Sequence, residues 1–133
     1  MLSVHYNCND SLILSSSGDQ TACLSKSNGT ILRQFVGASG YMYDVIFGMT
    51  EDEIITASTD KYIRIWCVAN GEETVRLGGH LGSVSRLSLS KNGLLVSSDV
   101  LGKITLWRIP TLETTASNLY KKFNALKVSE NKE

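Results

Sequence analysis

The chain has 133 residues, of which 42% are hydrophobic and 20% are charged, and its thirteen basic residues balance thirteen acidic ones. This composition is typical of a globular intracellular protein, cytoplasmic or nuclear, because no apolar run reaches the roughly 20 residues of a membrane helix and polar residues interrupt the N-terminus before a secretory signal could form. The formal net charge of zero lacks the strong positive field of proteins that grip nucleic acid, so we do not expect nucleic acid as the main partner.

A repeat of 41 residues runs through the chain. A shift by this number places Val4 on Val45. The same shift, applied further along the chain, places Trp66 on Trp107. Self-similarity at such a period is typical of propellers and solenoids, in which each unit leaves apolar faces that only its neighbours can cover. The sequence therefore predicts one structural unit that is used three times.

The first unit contains four short apolar runs. They lie at residues 4–6, 12–14, 22–24 and 31–36. Short runs that are rich in β-branched and aromatic residues and are separated by turn residues predict β-strands rather than helices. The dipeptide Asn28-Gly29 predicts a tight hairpin between the third and fourth strands, because both residues tolerate positive φ. We therefore predict a four-stranded antiparallel sheet.

The other two units follow the same order. The middle unit has predicted strands at residues 42–47, 54–57, 63–66 and 74–77, with Asn70-Gly71 as its hairpin. The last unit has predicted strands at residues 84–89, 94–96 and 104–107. Residues 112–115 form only a weak pattern for its fourth strand, and Pro110 stands where the hairpin glycine should lie.

The C-terminal residues 116–133 have a different pattern. Leu119, Phe123 and Leu126 fall at helical spacing, and the lysines lie largely on another side. This pattern predicts either a short helix that docks on a blade or on a partner, or a disordered tail.

The repeat resembles the WD-repeat β-propeller family. Gly79-His80, Ser97 and residues 104–107 carry the resemblance in the last unit, and Asp60 with residues 63–66 carries it in the middle unit. It covers residues 1 to about 112 and implies an all-β fold, a partial propeller of about three blades with four antiparallel strands each. The implied division of the chain is blade 1 at 1–37, blade 2 at 38–79, blade 3 at 80–115 and a tail at 116–133.

The resemblance also implies a buried set of four residues in each blade. In that family the set links the histidine of a Gly-His pair, a hydroxyl residue on the second strand, an aspartate in the next turn and the tryptophan of the third strand. The matching residues are Asp19, Asp60, Trp66, His80, Ser97 and Trp107, with a hydroxyl at Thr56 or Ser58 in the middle unit. We expect no unit to keep the complete set. In the middle unit Gly37-Ala38 stands where the Gly-His pair should be. In the last unit Leu101 stands at the aspartate position, and in the first unit Ser25 stands at the tryptophan position.

A scaffold that binds other proteins or peptides is the function that the resemblance implies. In that family the contacts concentrate on one rim, and the matching positions are Tyr41, Tyr43, Thr59, Ser83, Ser85 and Val100. The two tyrosines are the expected anchors, because aromatic side chains bring a large contact area at little cost in rotamer entropy. The alternative is that one or both rings pack between blades.

An enzymatic interpretation competes with this one. Ser58, Asp60 and His80 have the residue types of a catalytic triad. The structural set already explains Asp60 and His80, and it places them in different blades, so we predict no enzymatic activity. The three cysteines lie far apart without a Cys-x-x-Cys pair. We therefore predict reduced thiols and neither a metal site nor a cofactor.

Three blades cannot close a ring, since propellers close with about four to eight. A tail after the last unit fits the C-terminal three blades of a longer propeller. The alternative is a structural subunit that completes a closed ring by self-association, with three blades from each of two copies. An open wedge would expose two blade faces, beyond the roughly 300–600 Å² of the largest apolar patch on an ordinary monomer, so we expect the isolated chain to self-associate or to be poorly stable.

Overall fold

The computed structural model describes residues 3–7, 11–17, 19–36, 40–48, 50, 52–91 and 93–108, together with the backbone of residues 126–132. The regular elements of this part are β-strands joined by short turns. In chain order they are β1 (Ser3–Tyr6), β2 (Leu12–Ser16), β3 (Thr21–Lys26), β4 (Ile31–Val36), β5 (Met42–Phe47), β6 (Glu53–Ser58), β7 (Ile63–Cys67), β8 (Glu73–Leu77), β9 (Val84–Leu89), β10 (Leu94–Asp99), β11 (Lys103–Arg108) and β12 (Leu126–Lys132).

The strands form three four-stranded antiparallel sheets. Each sheet uses four strands in chain order, so strands that are neighbours along the chain are also neighbours in the sheet. Four strands joined in this way make a propeller blade, and the predicted all-β fold with four-stranded blades is confirmed. We call the sheets blade 1 (β1–β4), blade 2 (β5–β8) and blade 3 (β9–β12).

Two hairpins between third and fourth strands depend on asparagine and glycine. Gly29 and Gly71 have φ angles of 94° and 75°, in the left-handed region that a side chain disfavours. Asn28 and Asn70 precede them, and each amide oxygen accepts a backbone N–H from the residue two positions later, at 2.9 Å. These contacts are local, and for this reason the dipeptides alone are sufficient to predict the turns.

Blade 3 takes its outer strand from the tail. β12 pairs antiparallel with β11, from Leu126 opposite Arg108 to Lys132 opposite Lys103. The helix predicted for the tail is therefore wrong for residues 126–132, and blade 3 extends past residue 115. The free edge of β11 offers backbone partners to a strand, and this outweighs a helical pattern of only three apolar residues. The possible strand at 112–115 and the rest of the tail lie outside the described residues.

The blades stack through two apolar clusters. The cluster between blades 1 and 2 contains Leu14, Ala22, Leu24, Phe35, Met42, Val45, Ile54 and Trp66. The cluster between blades 2 and 3 contains Ile55, Ala57, Ile63, Ile65, Val75, Leu77, Val84, Leu87, Leu95 and Trp107. Each indole packs against the preceding blade, and the ring of Phe35 meets Trp66 edge-on with centroids 5.8 Å apart. Burial of both sheet faces in blade 2 explains why its strands read as nearly continuous apolar runs.

One buried carboxylate connects the first strands of all three blades. Asp44 in β5 is 3% exposed. Its Oδ1 accepts a hydrogen bond from Ser3 Oγ at 2.7 Å and lies 3.3 Å from His5 Nε2, both in β1. Its Oδ2 accepts the backbone N–H of Leu87 in β9 at 3.0 Å. The innermost strands are thus held together by polar contacts as well as by apolar packing.

Both end faces of the stack carry apolar side chains. On blade 1 the outer face, here called the front face, carries Val4 and Tyr6, which are 53% and 62% exposed. Ser25 lies on the same face, at the position that tryptophan occupies in the other blades. On blade 3 the outer face is apolar along β11, where Ile104 and Leu106 are half-buried.

Candidate functional site

Four side chains form a hydrogen-bonded set inside blade 3. His80 Nδ1 lies 2.8 Å from Asp99 Oδ2, and His80 Nε2 lies 2.7 Å from Ser97 Oγ. Trp107 Nε1 donates to the same serine oxygen at 2.9 Å. A carboxylate only accepts, so Nδ1 donates to Asp99, and a neutral imidazole then accepts the serine proton at Nε2. Every polar atom of the set has a partner, as buried polar groups require.

The aspartate of this set is Asp99, not a residue at position 101. The expectation that Leu101 leaves the blade without its carboxylate is wrong. Asp99 Oδ1 accepts the backbone N–H groups of Leu101 and Lys103 at 2.9 and 3.0 Å. Burial by itself would raise the pKa of this carboxyl, but the hydrogen bonds from His80 and from the two backbone groups outweigh it and hold the pKa below its usual value.

The order of hydroxyl, imidazole and carboxylate in blade 3 matches that of a catalytic triad. Ser97 is however fully buried, and its oxygen already accepts the indole N–H. A substrate cannot reach this hydroxyl. The role of the set is structural, because its hydrogen bonds join β10 and β11 to the loop that carries His80. The sequence-derived triad does not assemble either, because Ser58 Oγ accepts the backbone N–H of Asp60 while His80 bonds within blade 3.

Blade 2 lacks the histidine, and a different residue binds its turn aspartate. Trp66 Nε1 donates to Thr56 Oγ1 at 3.0 Å, so Thr56 rather than Ser58 is the hydroxyl partner. The guanidinium of Arg64, only 3% exposed, pairs with Asp60 Oδ2 at 2.7 Å. Its Nε also pairs with Glu73 at 3.2 Å. The buried arginine thus supplies the donor that the missing imidazole would have given to the turn aspartate.

Blade 1 keeps the turn aspartate but lacks the tryptophan. Asp19 is exposed, and its carboxylate accepts hydrogen bonds from the backbone and the hydroxyl of Thr21. The hydrogen bond from the Thr21 hydroxyl is the main cause of a lowered pKa for Asp19. Ser25 stands in the tryptophan position, with Cys23 Sγ 3.7 Å from its hydroxyl. This aspartate shapes a local turn and does not connect strands.

A chain of hydrogen bonds joins the predicted contact residues of blades 2 and 3. Tyr41 and Thr59 exchange two bonds, from Tyr41 N to Thr59 Oγ1 and from Thr59 N to Tyr41 O, both at 2.9 Å. Ser83 Oγ donates to Thr59 O at 3.3 Å, and Val100 N donates to Ser83 O at 3.0 Å. The starts of β5 and β9 therefore lie beside the turns that follow β6 and β10, on one rim.

Large apolar side chains are exposed along this rim. Tyr41 is 52% exposed and Val100 is 61% exposed. Leu81 and Leu101, which the family resemblance did not point to as contact residues, lie with them. They are 73% and 57% exposed. A Cβ added at Gly82 would lie 2.8 Å from Leu101 Cγ and 3.2 Å from Val100 Cγ2, so these loops are in direct contact. We call Tyr41, Leu81, Val100 and Leu101 the rim patch.

The other predicted contact residues are less accessible. Tyr43, Thr59, Ser83 and Ser85 are half-buried, and Ser85 Oγ donates to the backbone oxygen of Ser98 at 3.3 Å. The two leucines had a signal in the sequence, because an apolar residue in a turn, where polar residues are usual, leaves the side chain without a core to enter.

The described part of the chain offers little else that could carry chemistry. A shallow groove of about 310 Å³ lies at the opposite ends of β5 and β9 from the rim, and it is lined by Phe47, Gly48, Leu89, Ser90 and Lys91. No group of three His, Cys, Asp or Glu side chains among these residues could hold a metal ion. Within the same residues, no helix has the length and apolar character needed to cross a lipid bilayer.

Comparison with known families decides the relationship. The family described as "WD domain, G-beta repeat" matches residues 29–67, which span the outer strand of blade 1 and most of blade 2. The chain thus carries a WD repeat at residues 29–67. Its fold is also that of the computationally designed Ika8 protein, whose crystal structure superposes with a TM-score of 0.74 at 20% identity, over 98% of this chain and 36% of the designed one.

Curated relatives of this WD-repeat chain are longer proteins. THO complex subunit 6 of Arabidopsis thaliana is 32% identical over an alignment of 107 residues that covers 76% of this chain and 29% of that protein. Pre-mRNA-processing factor 19 of Oryza sativa subsp. japonica is 28% identical over 74% of this chain and 19% of that protein. Guanine nucleotide-binding protein G(I)/G(S)/G(T) subunit beta-1 of Homarus americanus is 31% identical over 50% of this chain and 19% of that protein. The chain thus spans less than a third of each.

Proposed function

We propose that this WD-repeat chain is a non-enzymatic scaffold that binds other proteins or peptides at the rim patch. The observation that carries the proposal is the presence of four large apolar side chains, each more than half exposed, on neighbouring loops. An apolar surface of this kind, rimmed by polar groups, marks interaction sites on soluble proteins. Thr59, Ser83 and Ser85 supply hydroxyl groups beside it, and Tyr43 supports it from a half-buried position.

The loops of the patch are held in place before any partner arrives. The turn that carries Val100 and Leu101 is fixed by the two backbone N–H groups that Asp99 accepts. The start of β5 at Tyr41 is fixed by its two bonds to Thr59. Binding by ordered loops costs less conformational entropy than binding by loops that must first be ordered. An aromatic ring and three aliphatic side chains in fixed positions are suitable central anchors.

The names of two relatives support a function in a multi-protein assembly. One relative is a subunit of a THO complex, and another is a pre-mRNA-processing factor. We propose that this chain forms the C-terminal blades of a larger WD-repeat propeller, with proteins as partners and a location inside the cell. The nucleus is favoured over the cytoplasm by the same two names. Imaging of the fluorescently tagged protein would test the location, and exclusion from the nucleus would contradict it.

The test of partner binding compares two sets of surface substitutions. The rim variant carries Tyr41→Ser, Val100→Ser and Leu101→Ser. The control variant carries Val4→Ser and Tyr6→Ser, which also remove exposed apolar side chains but lie on the front face of blade 1. We expect proteins captured by the wild-type chain in cells to be retained by the control variant and lost from the rim variant, with unchanged melting temperatures.

Identified partners would then be purified and titrated against the three chains by calorimetry. We expect the rim variant to bind at least about tenfold more weakly, which corresponds to about 1.4 kcal/mol. Equal affinity of the rim variant and the wild-type chain for every partner would refute the rim patch as the binding surface. Turnover of a substrate by the purified chain would refute the non-enzymatic function.

A further inference from the structure

The outer strand of blade 1 is an exposed edge without the usual protection. Among the described strands β4 pairs only with β3, and no other described strand lies on its other side. Phe35 is its one buried residue, while Ile31, Leu32 and Val36 are 58%, 46% and 66% exposed. Native proteins usually protect such an edge with charged side chains or proline, because a free strand edge pairs readily with another strand.

The single charge of β4 does not protect it. Arg33 turns toward blade 2, where its Nη2 donates to the backbone oxygen of Ala69 at 3.0 Å. The outer strand of blade 2 differs, since β8 carries Glu73 and Arg76, which form an ion pair at 2.7 Å on its surface. Protection by charge is therefore present on the edge of blade 2 and absent from the edge of blade 1.

The outer strand of a blade stays accessible when another blade stacks on the face of its sheet, as blade 2 shows. Gln34 faces the front of blade 1 opposite Cys23, and Arg76 occupies the matching place in blade 2, opposite Arg64. Although blade 1 stacks on that side of blade 2, the side chain of Arg76 remains 49% exposed. The edge at β4 would thus stay accessible even if another blade stacked on the front face.

We propose that β4 pairs antiparallel with β4 of a second copy of this chain, around a two-fold axis at Gln34. The segment Leu32-Arg33-Gln34-Phe35-Val36 has the same pattern in both directions, with apolar residues two positions to either side of the glutamine. In this register Leu32 lies opposite Val36 of the second copy, and the pair occurs twice. The two glutamine amides meet at the axis, where each offers a donor and an acceptor.

Charge repulsion favours an axis at Gln34 over an axis at Arg33. An axis at Arg33 would place two guanidinium groups directly opposite each other, and like charges in that position destabilise a strand pair. The axis at Gln34 instead places Arg33 opposite Phe35 of the second copy. Strands of six residues bury less than the roughly 1,200 Å² of a standard interface, so the dimer forms at high concentration and dissociates on dilution.

The test is the mass of the full chain across a concentration series, measured by sedimentation equilibrium. We expect a reversible dimer for the wild-type chain and at least about tenfold weaker association for Leu32→Lys/Val36→Lys, because lysine protects an edge strand. The matched control is Val4→Lys/Tyr6→Lys, which places the same charges on the front face at β1. We expect this control to associate like the wild-type chain.

A peptide of residues 30–36 provides a second measurement that does not depend on folding of the variants. Added to the wild-type chain, it occupies the edge and is expected to dissociate the dimer, whereas a peptide of the same composition in scrambled order does not. A wild-type chain that stays monomeric at every concentration overturns the proposal. Association that the control substitutions abolish and the β4 substitutions leave intact also overturns it, since it would proceed through blade faces.

Discussion

Asp99 is the residue whose replacement tests the polar architecture of blade 3 most directly. Its carboxylate accepts three hydrogen bonds, from His80 Nδ1 and from the backbone N–H groups of Leu101 and Lys103. The side chain is completely buried. Asp99→Asn keeps the shape and one acceptor oxygen but removes the charge. Asp99→Ala removes every acceptor and leaves three donors without partners, of which the His80 N–H is buried and the two backbone N–H groups are partly buried.

The expected losses follow from the number of bonds. A hydrogen bond to a charged group contributes about 1.5–3 kcal/mol and a neutral one about 0.5–1.5 kcal/mol, a difference of about 1–1.5 kcal/mol per bond. The two backbone bonds alone therefore give a loss of at least about 2–3 kcal/mol of unfolding free energy for Asp99→Asn. An unsatisfied buried donor costs about 1–3 kcal/mol, so three such donors would cost about 3–9 kcal/mol. Because two of the three are only partly buried, we expect about 3–6 kcal/mol for Asp99→Ala. Because domains are stable by only about 5–15 kcal/mol, we expect the alanine variant to be partly unfolded at ambient temperature.

Urea unfolding at neutral pH, followed by the fluorescence of the buried tryptophans, measures both losses. Asp19→Asn is the matched control, because this carboxylate also accepts a backbone N–H but is exposed at a turn. We expect the control to unfold at nearly the same urea concentration as the wild-type chain. A loss below about 1 kcal/mol for Asp99→Ala would refute the reasoning, since a single unsatisfied donor should already cost that much.

Three further predictions concern pH and the two tryptophan-bearing blades. Because the pKa of Asp99 is lowered in the folded state, its carboxylate stabilises the fold fully above the ordinary carboxyl pKa of about 3.9. This stabilisation is lost as pH falls through the folded-state pKa. The difference in unfolding free energy between wild type and Asp99→Asn should therefore shrink below about pH 4. Arg64→Met leaves Asp60 buried without its cation and should cost about 3–5 kcal/mol by urea unfolding, whereas an unchanged midpoint would contradict the buried pair. Thr56→Val leaves the Trp66 N–H without an acceptor and should cost about 1–3 kcal/mol, while Thr56→Ser should unfold nearer to wild type.

Strand positions were predictable because they depend on local patterns. The predicted strand at 31–36 has the bounds of β4, and the hairpins at Asn28-Gly29 and Asn70-Gly71 lie where the dipeptides placed them. Alternation of apolar residues and turn chemistry act over a few residues, so a single sequence carries enough information to locate them. The stacking of blades followed from the repeat, since each sheet had apolar residues on more than one face.

The aspartate of blade 3 was missed because the repeat was followed too strictly. A shift of 41 from Asp60 leads to Leu101, but the carboxylate that meets His80 comes two residues earlier, at the end of β10. Alternation along a strand could have found it, because Ser97 and Asp99 are two positions apart and must share a face. In blade 2 the arginine that replaces the histidine could not be predicted, since Arg64 comes from a strand rather than from the loop between blades.

The outer strand of blade 3 was missed for a different reason. β12 lies far from β11 along the chain, and its pairing is a tertiary contact that no local pattern encodes. The rim leucines, in contrast, were missed although a local signal was present. Leu81 and Leu101 are apolar residues in turns, where a side chain has no core to enter, and both are more than half exposed.

Ser25 restricts how this segment could multiply during evolution. In blades 2 and 3 an indole fills the space against the blade before it, and both rings are almost entirely buried. A tandem duplication that joined the first blade of one copy to the last blade of another would place a hydroxymethyl group at that junction. The lost packing would resemble a tryptophan truncation, which costs about 3–5 kcal/mol. Each duplication would therefore create one poorly packed interface between blades. A well-packed array of copies would need tryptophan in place of Ser25 at that interface.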